Sequence, residues 1–179
     1  MNSLEDTSTS EGEKPEVALP PRDYIEHVKK VNDVFYSQVL NSDQKAAYIF
    51  TFMLAFLVTS AEGRQVFSLS HYAKGMDFAG FVSAVLALSS IVSSICAILV
   101  VLPQHVKKST SLFWGTWPHH RPLLEKAAAE KDPLYLFREY LDNADVLSQI
   151  ARRKYRHATY AFRALAVTVV AYVVLLVLE

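Results

Sequence analysis

Three apolar stretches constrain this chain more than anything else in it: residues 46–61, 78–102 and 164–178. The middle one runs 25 residues without a charge. At ~1.5 Å rise per residue that exceeds a ~30 Å hydrocarbon core. The outer two are shorter, 16 and 15 residues. They gain length if flanking cations snorkel to the interface, Lys45 below the first and Arg163 below the third. With the approach from residue 160 included, the spacing predicts three spans, 46–61, 78–102 and 160–178, around a cytoplasmic helical insert at 103–158. No strand pattern or repeat is present. The expected fold is an all-α, multi-pass membrane protein.

The placement of Lys and Arg orients it. Segment 103–158 carries ten: Lys107, Lys108, Arg121, Lys126, Lys131, Arg138, Arg152, Arg153, Lys154 and Arg156. Segment 62–77 carries Arg64 and Lys74 only. The positive-inside bias puts the former in the cytoplasm and the latter outside, which leaves the N-terminus inside and Glu179 at the outer face. Residues 1–21 form an acidic, Ser/Thr-rich tail, with Glu5, Asp6, Glu11, Glu13 and Glu16 against Lys14. That is neither the basic start nor the apolar centre of a signal peptide, and it reads as disordered. Net charge is zero, so no global field attracts nucleic acid. The single cysteine, Cys96, falls inside the middle span, where it forms no internal disulfide and serves as a small packing residue.

Between the spans the pattern is helical. Tyr24, Val28, Val31, Phe35 and Val39 recur at helical spacing opposite a charged face, and Asn41-Ser42-Asp43 offers cap residues at which a membrane helix would restart. Gly63 and Gly75 bracket a short external connection. Pro103 closes the middle span. Pro118 and Pro122 punctuate a loop holding Trp114 and Trp117, read as interfacial anchors or packing groups. A helix is predicted from Leu123 to Lys131, broken by Asp132-Pro133. A second carries Leu136, Phe137, Tyr140 and Leu141, and a long pattern from Ala144 continues into the last span. In the middle span Gly80, Ser83, Ala87, Ser90, Ser94 and Ala97 fall three or four apart. In lipid, small residues let helices approach closely, so this seam marks the packed centre of a bundle or of a homo-oligomer. A serine-lined pore is the sharper alternative.

Catalytic signatures are missing. There is no phosphate-binding glycine loop, no HExxH and no GxSxG. His119 and His120 are adjacent, so on a helix they diverge and do not chelate as an i, i+4 pair would. No enzyme activity, metal or cofactor is expected. The remaining concentration is basic and aromatic: Arg152, Arg153, Lys154 and Arg156 around Tyr155. Arg152 and Arg156 share a helical face with Tyr155 beside it, a surface suited to a phosphate and a stacked base. The same cluster also serves simply to anchor topology before a span.

Several short motifs occur in order around the three stretches. Asp43-Gln44-Lys45-Ala46 opens the first, Leu112-Phe113-Trp114-Gly115 follows the second, and Leu147, Ile150, Lys154 and Tyr155 precede the third. In this the chain resembles the Pycsar effector transmembrane family over roughly residues 22–178, with D-x-K-A, L-F-[FW]-G and L-x-x-I-x-x-x-K-Y as the shared wording. The matching positions are Asp43, Lys45, Ala46, Phe113, Gly115, Ile150, Lys154 and Tyr155. The resemblance implies a small antiphage effector working with a pyrimidine nucleotide cyclase. It would bind cyclic CMP or cyclic UMP at its cytoplasmic side and impair the inner membrane, causing abortive infection. A membrane scaffold recruiting a cytosolic partner, and a constitutive holin-like pore former, are the competing expectations.

Overall fold

Ser42 does not start a helix. In the computed structural model, which describes residues 20–72, 77–103, 110–113, 115–132 and 134–178, it lies inside one 38-residue helix, α1 (Arg22–Thr59). Its hydroxyl donates to the carbonyls of Gln38 (3.0 Å) and Val39 (2.9 Å) of its own helix. A side chain satisfied that way frees no backbone amide to cap, so the helix runs through. The acidic tail lies, up to residue 19, outside the described residues, as does Gly75.

The break comes at Ser60, in extended conformation. Its hydroxyl accepts from the Gly63 amide (2.8 Å) and caps the five-residue α2 (Ala61–Gln65). A Cβ on Gly63 would stand 3.1 Å from Ser60 Cβ and 3.2 Å from the Phe56 ring, so the reversal is close enough to favour glycine. A short α3 (Leu69–Tyr72) follows. The Asp77 carboxylate then caps α4 (Phe78–Val101) by accepting from the Gly80 amide at 2.8 Å.

Two further predicted breaks are differently placed. The loop expected around Pro118 and Pro122 is helical: α5 spans Trp117–Ala129, with Pro118 in the first turn, where no amide is needed. It ends at a left-handed Lys131 (φ 52°), with the Asp132 amide reaching back to the Ala127 carbonyl at 2.9 Å. The separate helices expected after it are one, α6 (Tyr135–Leu178), 44 residues and ~66 Å long. Pro133 lies outside the described residues. All described elements are helices.

The helices α1, α4 and α6 form the core. Ala46, Ile49 and Met53 of α1 meet Ala97 and Val100 of α4 and Ala158 and Ala161 of α6. A second cluster joins Val66 to Val82 and Leu86 of α4 and Ala171 and Leu175 of α6. The Ser93 hydroxyl donates to the Ala161 carbonyl (3.0 Å) and the Thr168 hydroxyl to Ser89 Oγ (2.9 Å), so α4 and α6 are joined by small polar contacts as well as close packing. Of the predicted seam, Gly80, Ser83, Ser90 and Ala97 are buried, whereas Ala87 and Ser94 are half-buried. Leu86, Ser89 and Ser93 widen the buried face beyond it.

The three expected spans reduce to two helices long and apolar enough to cross a membrane, α4 and α6. The stretch 46–61 is cut short by the end of its helix and is preceded in α1 by the polar Ser42, Asp43, Gln44 and Lys45, whereas the similarly short charge-free run of α6 is extended by Tyr160, Ala161 and Phe162. From Ala46 to the helix end at Thr59 there are 14 residues, ~21 Å. Only 33 % of the apolar window of α4 and 28 % of that of α6 are buried, so most of their apolar surface faces outward.

Candidate functional site

Where α1 and α6 leave the apolar bundle, they are tied by charge. Lys154 Nζ donates to Asp43 Oδ1 at 2.5 Å. Lys154 is only 6 % exposed, which makes the carboxylate its necessary counter-ion. Two residues on, Lys45 Nζ stands 5.9 Å from the centre of the Tyr155 ring, a cation–π contact. Ala46 is fully buried in the core beside this tie, and Ile150 is half-buried one turn before Lys154 on α6. The motif that opens the first apolar stretch and the motif that precedes the third are therefore partners across one helix pair.

The basic cluster divides in consequence. Lys154 faces the helix pair and is committed to Asp43, and Tyr155 is half-buried against Lys45. Arg152, Arg153 and Arg156 are exposed, and none has a carboxylate partner among the described residues. Three uncompensated guanidinium groups thus flank a buried ion pair, an arrangement that attracts and can grip an anion.

Three turns lower a second tie joins the same helices. Asn32 Nδ2 donates to the Tyr140 carbonyl (2.9 Å), and Asn143 Nδ2 donates to Asn32 Oδ1 (2.6 Å). Asn143 Oδ1 accepts from the Thr110 hydroxyl (3.0 Å), and the Ser111 amide donates to Glu139 Oε2 (2.8 Å). His120 Nδ1 lies 3.6 Å from Glu139 Oε1, which brings α5 into the same network. The Tyr135 hydroxyl is buried beside it without a hydrogen-bond partner among the described residues. Burial, and then the Glu139 charge, push its phenol above the ordinary 10.0.

The pairs Asn32–Asn143 and Asp43–Lys154 are both 111 residues apart, so α1 and α6 run parallel in constant register. Phe113 and Gly115 sit in the connection to α5. A Cβ on Gly115 would come within 2.9 Å of the Phe113 ring, so glycine lets that ring fold across the turn. Trp114 lies outside the described residues. Trp117 begins α5 and is exposed. No group of three or more His, Cys, Asp or Glu side chains suited to a metal exists among the described residues.

A family model described as the Pycsar effector protein domain matches residues 27–179. The chain belongs to the Pycsar effector family. The matched region takes in most of α1 and all the later helices, and with it both ties between α1 and α6. The role of this Pycsar effector is accordingly in antiphage defence. No curated protein and no solved structure matches the chain.

Sequence reasoning missed the lower tie. The available signal was Asn32, a polar residue one turn from Val28 on the apolar side of an amphipathic helix.

Proposed function

We propose that this Pycsar effector is an inner-membrane protein switched by a cyclic pyrimidine mononucleotide, cyclic CMP or cyclic UMP, made by a partner cyclase. The observation that carries this reading is the Asp43–Lys154 tie flanked by exposed Arg152, Arg153 and Arg156. The nucleotide's phosphate is taken by the arginines on one side of α6 while the buried tie holds the other. Binding that favours one arrangement of α1 against α6 over another shifts the bundle between two states. The outward apolar surface of α4 and α6 lies in lipid or against other copies in a homo-oligomer, with the N-terminus cytoplasmic and residue 179 at the outer face. The shorter apolar end of α1 enters the bilayer beside them. The switched state impairs the membrane and ends the infection with the cell, and the protein itself catalyses no reaction.

The test is binding and killing measured together. Arg152→Ala and Arg156→Ala are each expected to weaken cyclic-nucleotide binding ~10-fold to 100-fold, the loss of one charge-assisted hydrogen bond. Nucleotide-triggered depolarisation should fall with it. Variants that insert normally and bind and depolarise like the parent would reduce the cluster to a topology anchor. Toxicity without any nucleotide would favour the constitutive pore former.

A further inference from the structure

The helix α1 stops partway along α4. Its 14 residues from Ala46 to Thr59 rise ~21 Å, whereas the 24 residues of α4 rise ~36 Å. The charge-free run of α6, residues 164–178, rises ~22 Å. The shortfall of α1 lets the next residues fold back along α4: Glu62, Gln65 and Val66 lie beside Ala79 and Ser83 near its outer end, while Arg64 and Phe67 face its middle. Arg64 of α2 lines a groove of about 470 Å³ with Leu57, Phe67, Ser90, Ile91, Ser94 and Ile95. Ser90 is the thirteenth of the 24 residues of α4, so an arginine stands at half-height against an apolar helix.

Arg64 is exposed and has no carboxylate partner among the described residues. Glu62, the nearest acid in sequence, accepts from the Ser60 hydroxyl at 3.0 Å and lines a neighbouring cavity with Gln65, Ala79, Ser83 and Leu175. An unneutralised guanidinium at hydrocarbon depth is costly, and a lipid phosphate drawn down to it removes that cost. Apolar segments shorter than the bilayer are accommodated by local thinning, which brings headgroups to the required depth.

We propose that this groove is a phospholipid site, in which Arg64 holds the headgroup phosphate of an anionic lipid and Leu57, Phe67, Ile91 and Ile95 receive its acyl chain. The inference rests on the membrane reading above and adds a ligand to it. Charge complementarity selects an anionic headgroup. The apolar wall selects a lipid over free phosphate, which would gain nothing from it. The bound headgroup sits below the plane of its neighbours, so the bilayer is already thinned beside α2 before any nucleotide arrives.

The full chain, purified in detergent without nucleotide, is mixed with phosphatidylglycerol or phosphatidylcholine, and retained lipid is read by native mass spectrometry. The parent should retain phosphatidylglycerol preferentially. Arg64→Gln should retain about tenfold less, by the loss of a charge-assisted contact, and Arg64→Lys should keep part of it. Ile91→Trp, which fills the groove and leaves Arg64 in place, should lose it too. Equal retention by parent and Arg64→Gln overturns the proposal. So does displacement of the lipid by inorganic phosphate, or an Arg64-dependent dimer that excludes lipid. Failure here leaves nucleotide binding at Arg152 and Arg156 untouched, and failure there leaves lipid retention untouched.

Discussion

A buried lysine with one counter-ion is sensitive to the loss of either partner. Removing one member of a buried pair costs ~3–5 kcal/mol, because the other charge is left stranded. Asp43 is 31 % exposed at its side chain, so the lower end of that range applies to Lys154→Met and the larger loss to Asp43→Leu, which strands the lysine. The double variant should unfold at a higher temperature than Asp43→Leu alone. Strict additivity of the two single changes in detergent melts would argue that the pair is not coupled. Tyr135 gives a prediction in pH. Its folded-state value lies above its unfolded one, so its contribution is fully present below about pH 10 and is lost as the pH rises through the folded value. Denaturant unfolding followed from pH 9 upward should show that loss, and Tyr135→Phe should lack its share. Tyr72, also raised by burial, keeps its own share in the variant.

Among elements, the contact between α4 and α6 depends on small side chains at specific positions. Ser93 is fully buried against α6, so Ser93→Leu should destabilise by ~1–3 kcal/mol through overpacking. Val92, 40 % exposed, should accept leucine within ~0.5 kcal/mol. Melts of both variants decide it, and equal losses would contradict the assigned face. This helix was legible in the sequence because a run of 25 residues without a charge, 78–102, is a local signal. The seam was half legible. Spacing found Ser83, Ser90 and Ala97, but only the position of α6 shows why Ser89 and Ser93 are buried as well. The continuity of α1 was not legible, since Ser42 suits a cap and an interior back-bond equally until its partner is known. Nor were the ties. Asp43 and Lys154 are separated by 111 residues, and no periodicity within either helix encodes which turn of the other it meets. The proline signal at 118 misled because Pro118 occupies a first turn, where proline is welcome, and Pro122 stands inside the helix, a placement that nothing in the structure explains.

At the scale of the molecule, the ten-to-two split of basic residues between segments 103–158 and 62–77 predicts how it sits in a bilayer. A reporter active only outside the inner membrane should work when fused after Glu179 and stay silent when inserted near Glu130. Activity at Glu130 would invert the orientation and exchange the sides of the arginine cluster and the lipid groove.

The unbroken α6 also behaves as a shaft. Arg152 and Leu178 sit on one rod, 26 residues and ~39 Å apart, with no hinge between them. Torque applied at the arginines therefore arrives at the far end with its phase preserved. One alanine inserted after His157 would turn everything beyond it by ~100° and take Ala161 and Thr168 out of mesh with α4. Seven inserted alanines would restore the phase to within ~20° while lengthening the shaft. If the effector transmits rotation, the longer insertion should be tolerated better than the shorter one, the reverse of what a simple spacer would do.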